Sequence, residues 1–239
     1  MSTALVPRHY LTPDQLRAVE LAPSEHRVVS GGPGSGKTQI LLHRARYLVD
    51  TYQVPADRYR VFVYTRLLKD YIRSASQMLQ LPENTITTLD SWCITAFKQF
   101  IGGTPPVIPG GIDFGRVREA VREYFGGKTP CFDFVLVDEG QDMPMGVYHL
   151  LRAVSRHITV CMDLKQQIYD FETTYVDVLR ALGVRQQNAI LLGHYRNCPY
   201  VVELAASFLD DAEERRMHLA QTHRPEGERS VPLLYVADS

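Results

Sequence analysis

The chain has 239 residues, 45% of them hydrophobic, and its 26 Lys plus Arg stand against 27 Asp plus Glu. That supplies core for one large α/β domain without disulfide staples, and the balanced charge excludes the broad basic surface of nonspecific DNA binders, so nucleic-acid contacts must be local. Cys93, Cys131, Cys161 and Cys198 are widely spaced with no C-x-x-C pair and no histidines fall at ligand spacing, which argues against a zinc site; with no leader and no apolar run near ~18 residues, the expectation is a cytoplasmic protein without a membrane partner.

After ten loose residues, Leu11-Thr12-Pro13-Asp14-Gln15 opens a helix, with Thr12 as cap, Pro13 in the first turn, and Leu16 and Val19 continuing the period. Val28 and Val29 form a short buried strand that runs into Gly31-Gly32-Pro33-Gly34-Ser35-Gly36-Lys37-Thr38. Gly31, Gly36, Lys37 and Thr38 fill the fixed places of G-x-x-x-x-G-K-[ST]. In such a phosphate-binding loop, here with Gly32, Pro33, Gly34 and Ser35 between the fixed positions, backbone N–H groups curl round phosphate oxygens at a helix N-terminus. Lys37 then reaches the β- and γ-phosphates and Thr38 holds Mg²⁺. Ile40, Leu41, Leu42, Ala45, Leu48 and Val49 carry the helix that follows.

Val61 to Tyr64 reads as a second strand and Leu67 to Leu79 as a helix, giving βαβ order. Ile86 to Leu89 reads as a short strand leading to Asp90-Ser91-Trp92 and a helix that reaches Phe100. Gly102 to Gly111 is a proline- and glycine-rich loop, and Val117 to Phe125 a short helix, so residues 92–132 make a small insertion. Phe132 to Val137 is apolar on both faces apart from Asp133, as the centre of a parallel sheet requires. It ends at Asp138-Glu139, where Asp138 can hold Mg²⁺ opposite Thr38 and Glu139 can orient the attacking water. Ile158 to Cys161 and Ala189 to Leu192 are further strands, with a helix from Tyr175 to Leu182 between them. Val231 to Val236 offers one more.

Asp138-Glu139-Gly140-Gln141-Asp142 resembles motif II of the UvrD/Rep-type superfamily 1 DNA helicases, and other segments fall in that family's order. Gln15 is similarly placed to the glutamine of the family's Q motif, which implies adenine recognition and ATP over GTP. Val63-Tyr64-Thr65-Arg66 resembles motif Ia and Thr88 to Trp92 motif Ib, which implies that Tyr64, Thr65, Arg66 and Trp92 line a single-stranded DNA path. Asp90 stands where that motif usually has histidine. Met162 to Phe171 resembles motif III, which implies that Gln166 senses the γ-phosphate and Phe171 meets DNA. This segment departs from the family at Met162, at Lys165 and at Glu172-Thr173-Thr174. His194-Tyr195-Arg196-Asn197 resembles motif IV, which implies that Tyr195 stacks on adenine and Arg196 approaches the γ-phosphate.

The resemblance implies a RecA-like P-loop NTPase, a three-layer α/β sandwich with a mainly parallel sheet. It would occupy residues 1–186, with motif IV and the incomplete start of a second RecA-like domain in 187–239. Motifs V and VI have no counterpart before Ser239. The expected function is the ATP-binding core of a single-stranded DNA translocase, a fragment with little unwinding of its own, using ATP and Mg²⁺. Its partners would be single-stranded DNA and a protein partner or missing C-terminal half. The alternative is a P-loop module that binds ATP and a protein partner without moving on DNA.

Overall fold

Helix α1 (Pro13–Glu20) begins where Thr12 closes a capping box: its Oγ1 accepts from Gln15 N at 3.3 Å and its own N–H donates to Gln15 Oε1 at 3.0 Å. The computed structural model describes residues 5–32, 34–63, 77–163, 174–185 and 190–192, together with Ser207, Arg215 and Arg216. Strand β1 (Arg27–Gly31) enters the glycine loop, and α2 (Lys37–Tyr52) leaves it. Then come β2 (Tyr59–Phe62), β3 (Ile86–Thr87) and α3 (Leu89–Ala96), which widens into a π turn over Phe97–Ile101. A small hairpin, β4 (Val107–Ile108) with β5 (Gly111–Ile112), precedes α4 (Phe114–Phe125) and β6 (Phe132–Val137). Helix α5 (Met145–Val154), β7 (Ser155–Met162), α6 (Tyr175–Leu182) and β8 (Ile190–Leu192) complete the series.

Among the described residues, six strands form one sheet in the order β3-β2-β6-β7-β1-β8, every neighbouring pair parallel. Alternate side chains along each strand feed two separate cores. Val28, Phe62, Val135, Val137, Ile158 and Val160 face the layer of α3, α4, α5 and α6. Val29, Val61, Phe134, Leu136 and Cys161 face α1 and α2, whose Val19, Ile40, Leu41 and Leu48 close the other side. This is the expected three-layer α/β sandwich of a P-loop NTPase. Both faces are covered, which is why β6, apart from Asp133, reads as an apolar run instead of an alternating one.

Several elements differ from the sequence reading. Helix α5 was not expected, although Val147, Leu150, Leu151 and Val154 are buried at spacings of three and four. It turns directly into β7 at Ser155, three residues before the strand expected from Ile158, so no loop residues announce the change. The proline-glycine segment holds the β4–β5 hairpin, and Leu89 starts α3 in place of ending a strand, because Thr88 Oγ1 accepts from Ser91 N at 3.2 Å as an N-cap. β8 hydrogen-bonds along β1, so residues 190–192 belong to the same sheet as β1. The expected strand at 231–236 and most of the expected helix at 67–79 lie outside the described residues.

Candidate functional site

β1, β7 and β6 lie side by side, and their C-terminal ends bring together Lys37, Asp163 and Asp138-Glu139. In an open parallel sheet this edge is where ligands bind, because helix N-termini and strand ends converge there. The glycine loop is shaped by left-handed backbone at Gly34 (φ 79°) and Gly36 (φ 86°), conformations that side-chain-bearing residues rarely adopt. Gly36 is required for a second reason. A Cβ there would lie 2.7 Å from Gln15 Nε2, which itself donates to Ser35 O at 3.0 Å. Gln15 thus caps its own helix and clasps the loop.

Lys37 is buried, with its ammonium donating to Gly31 O at 2.8 Å, Gly32 O at 3.2 Å and Asp163 Oδ2 at 3.3 Å. Thr38 Oγ1 donates to Asp138 Oδ2 at 2.7 Å. The other oxygen of Asp138 accepts from Glu139 N at 3.1 Å. Burial, and then the neighbouring Glu139, push the Asp138 carboxyl up to about 6. Glu139 has φ 50°, an unusual left-handed conformation for a non-glycine residue, and the tight turn after it runs through Gly140–Asp142.

The backbone of that turn is held from below. Tyr148 on α5 donates its hydroxyl to Gly140 O at 2.6 Å. A Cβ on Gly140 would overlap Val160 Cγ1 and lie 3.1 Å from Tyr148 Oη. Gly140→Ala is therefore expected to lower stability by about 1–3 kcal/mol through overpacking and to weaken Mg²⁺-ATP binding as the turn shifts. Thermal melts with and without nucleotide check this; an unchanged melt would mean that β7 yields at no cost.

Gln141 Nε2 donates to Glu139 Oε2 at 2.8 Å while its Oε1 accepts from Asp163 N at 2.9 Å. Neither Gln141 nor Asp163 had an assigned role from sequence. The available signal was that Asp163 ends an apolar strand, as Asp138 does. Asp142 Oδ1 is buried with no hydrogen-bond partner, and burial raises that carboxyl.

Arg44, on the buried face of α2 and 0% exposed, ties α2 to the end of α1 and to β7. Its Nη1 donates to Val19 O at 2.9 Å and Leu21 O at 2.7 Å, Nε to Thr159 Oγ1 at 2.9 Å, and Nη2 to His157 Nε2 at 3.1 Å. An arginine that only donates makes Nε2 the acceptor, so the His157 proton sits on Nδ1.

Trp92 is half-buried and packs against Phe62, Phe125 and Phe132, with ring centroids 5.5–6.5 Å apart. That aromatic cluster competes with the stacking on bases expected of it. Asp90 pairs with Arg118 on α4 at 3.2 Å, which commits its carboxylate to the insertion. Pro33, Tyr64, Thr65, Arg66, Gln166, Phe171, Tyr195 and Arg196 lie outside the described residues.

A family model described as "AAA domain" matches residues 15–172. No curated protein sequence matches the chain. Among solved structures, Pif1 helicase from Candida albicans is similar with a TM-score of 0.51 at 16% identity, over 82% of this chain and 43% of that one. Domain III of the Thermotoga maritima replication initiation protein DnaA gives 0.40 at 13% identity, over 94% and 79%. Bacteroides Pif1 bound to ssDNA gives 0.43 at 14% identity, over 86% and 48%. The chain spans less than half the length of either Pif1 structure. At 16% identity the likeness to the Candida albicans Pif1 structure is one of fold.

Proposed function

The chain belongs to this AAA domain family, and from that premise we propose that it is the ATP-binding core of a UvrD/Rep-type superfamily 1 helicase, driving movement along single-stranded DNA. The observation that carries the ATP site is the meeting of Lys37, Thr38, Asp138 and Glu139 at one sheet edge, with Thr38 and Asp138 2.7 Å apart. A hydroxyl and a buried carboxylate are a donor set that suits Mg²⁺, which takes few protein ligands and leaves positions for phosphate and water. No group of three or more His, Cys, Asp or Glu side chains among the described residues competes as a metal site. Thr38 and Asp138 would hold Mg²⁺, which would supply positive charge against the phosphates.

The protein's own residues divide the remaining work. Lys37 leaves the carbonyls of Gly31 and Gly32 for the β- and γ-phosphates. Glu139 orients a water whose oxygen attacks the γ-phosphorus as the bond to the β–γ bridging oxygen breaks; that oxygen departs with ADP, and Glu139 accepts the water's proton. Gln15 would read adenine by exchanging its bonds to Thr12 N and Ser35 O for the base, Gln166 and Arg196 would meet the γ-phosphate and Tyr195 would stack on the base. Tyr64, Thr65, Arg66 and Phe171 would line the DNA path. The packing of half-buried Trp92 against Phe62, Phe125 and Phe132 gives some support to the alternative, an ATP-dependent protein-interaction module.

Calorimetric titration tests the reading. Lys37→Ala should weaken ATP binding by about 2–4 kcal/mol, roughly 30- to 1,000-fold, through lost charge-assisted hydrogen bonds. Glu139→Gln should keep wild-type affinity. Equal affinity for wild type and Lys37→Ala, without Mg²⁺ dependence, would remove the phosphate loop from the mechanism. Stimulation of phosphate release by single-stranded DNA then separates a translocase core, which responds, from an interaction module, which does not.

A further inference from the structure

Two side chains without a role so far, Asp163 and Gln141, join the phosphate loop to the hydrolytic carboxylate. Asp163 lies just past β7, the strand between β1 and β6. Its carboxylate holds Lys37 at 3.3 Å, both side chains being at most 9% exposed. Its backbone N–H donates to Gln141 Oε1 at 2.9 Å, and Gln141 Nε2 donates to Glu139 Oε2 at 2.8 Å. The ends of three adjacent strands are thus connected through Lys37, Asp163, Gln141 and Glu139.

We propose that Gln141 is the positioning residue for Glu139 and that Asp163 competes with the nucleotide's phosphates for Lys37, so that filling the loop is communicated to the hydrolytic carboxylate. The inference rests on the ATPase reading above. Glu139 sits at φ 50° at the start of a tight turn, and Gln141, two positions on in the same turn, holds one oxygen of its carboxylate. Gln141 in turn is fixed by a backbone donor at the rim of the sheet, and that donor belongs to the residue whose side chain holds Lys37. When Lys37 turns to phosphate, the β7 end loses one of its attachments and Gln141 moves with it. The amide side chain suits this task. Its NH₂ can only donate, which matches a carboxylate, and its oxygen can only accept, which matches the Asp163 N–H. Brace and competitor are therefore separable by substitution: the Asp163 side chain touches Lys37, whereas only its backbone touches Gln141.

The test uses the full chain and readouts that do not depend on fast turnover. Affinity is measured for ADP, for ATP with Mg²⁺, and for ADP with aluminium fluoride, a mimic of the transferring phosphoryl group. Gln141→Ala should bind ADP as wild type does but lose about tenfold in aluminium fluoride complex affinity. In a Glu139→Gln background the same change should add nothing, because Gln141 acts only through Glu139. Asp163→Asn keeps the backbone N–H and should bind ATP about three- to tenfold more tightly as Lys37 is released. Additive losses from Gln141→Ala and Glu139→Gln, or weaker ATP binding by Asp163→Asn with an unchanged melting temperature, would overturn the relay while leaving the ATPase reading intact. Failure of the wild-type chain to bind any of the three ligands would overturn both.

Discussion

Asp138→Asn is expected to raise the melting temperature of the nucleotide-free protein at pH 8 and to abolish the further rise that Mg²⁺ and ATP give the wild type. Asp138 is 1% exposed, and burial and Glu139 raise its carboxyl from 3.8 to about 6 in the fold. A raised folded-state value favours the fold fully below pH 3.8, and the benefit is lost as pH rises through about 6. At pH 8 the ionised group therefore costs about 1–3 kcal/mol relative to a neutral one. Asparagine removes the charge, its oxygen still accepting from Glu139 N and its amide donating to the Thr38 hydroxyl oxygen, so the variant should melt about 2–10 °C higher at pH 8. Near pH 4 the two proteins should melt together. Wild type recovers the cost when a cation binds, and the variant cannot. Melts across pH 4–8, with and without Mg²⁺-ATP, measure both arms. A variant less stable at pH 8 would show that Asp138 is held by its hydrogen bonds more than it is penalised by burial.

Arg44→Met is expected to lower unfolding free energy by about 3–5 kcal/mol, the largest loss from any single change considered. Methionine fills part of the volume but leaves the carbonyls of Val19 and Leu21 and the Thr159 hydroxyl without their donor. Arg44→Lys should recover only part of the loss, because an ammonium cannot span helix end and strand as a planar fork does. Burial first, and then Arg27, bring the guanidinium down to about 10, so it remains charged at neutral pH. A pH signature accompanies the loss. Burial, followed by Arg44, takes His157 from 6.5 to about 3 in the fold, so the wild type loses stability as pH falls from 6.5 toward 3, where only the unfolded chain takes the proton. Removing the arginine should make that slope shallower. Urea midpoints at constant m from pH 7 down to about 3 would register both effects, the shallower slope at the acid end; a loss under about 1 kcal/mol would mean that water replaces the guanidinium.

The sequence alone determined the parts whose chemistry is local. Gly31 to Thr38 specify a loop because positive φ at Gly34 and Gly36 and a lysine at the helix start are matters of a few adjacent residues. Thr12 announces a helix cap for the same reason, and Phe132 to Val137 announce a strand covered on both faces. The joining of α5 to β7 escaped notice because a helix that passes into a strand without turn residues leaves no punctuation. Tertiary structure decided which strands are neighbours. Total burial, not spacing, put β7 between β1 and β6, and only that order sets Lys37 against Asp163 across 126 positions. Burial also gave Arg44 its partners from α1 and β7, and drew Trp92 into an aromatic cluster with Phe62 and Phe132. Motif spacing fixes what a residue can do, while the sheet order and the competition for buried volume fix which partner it finds.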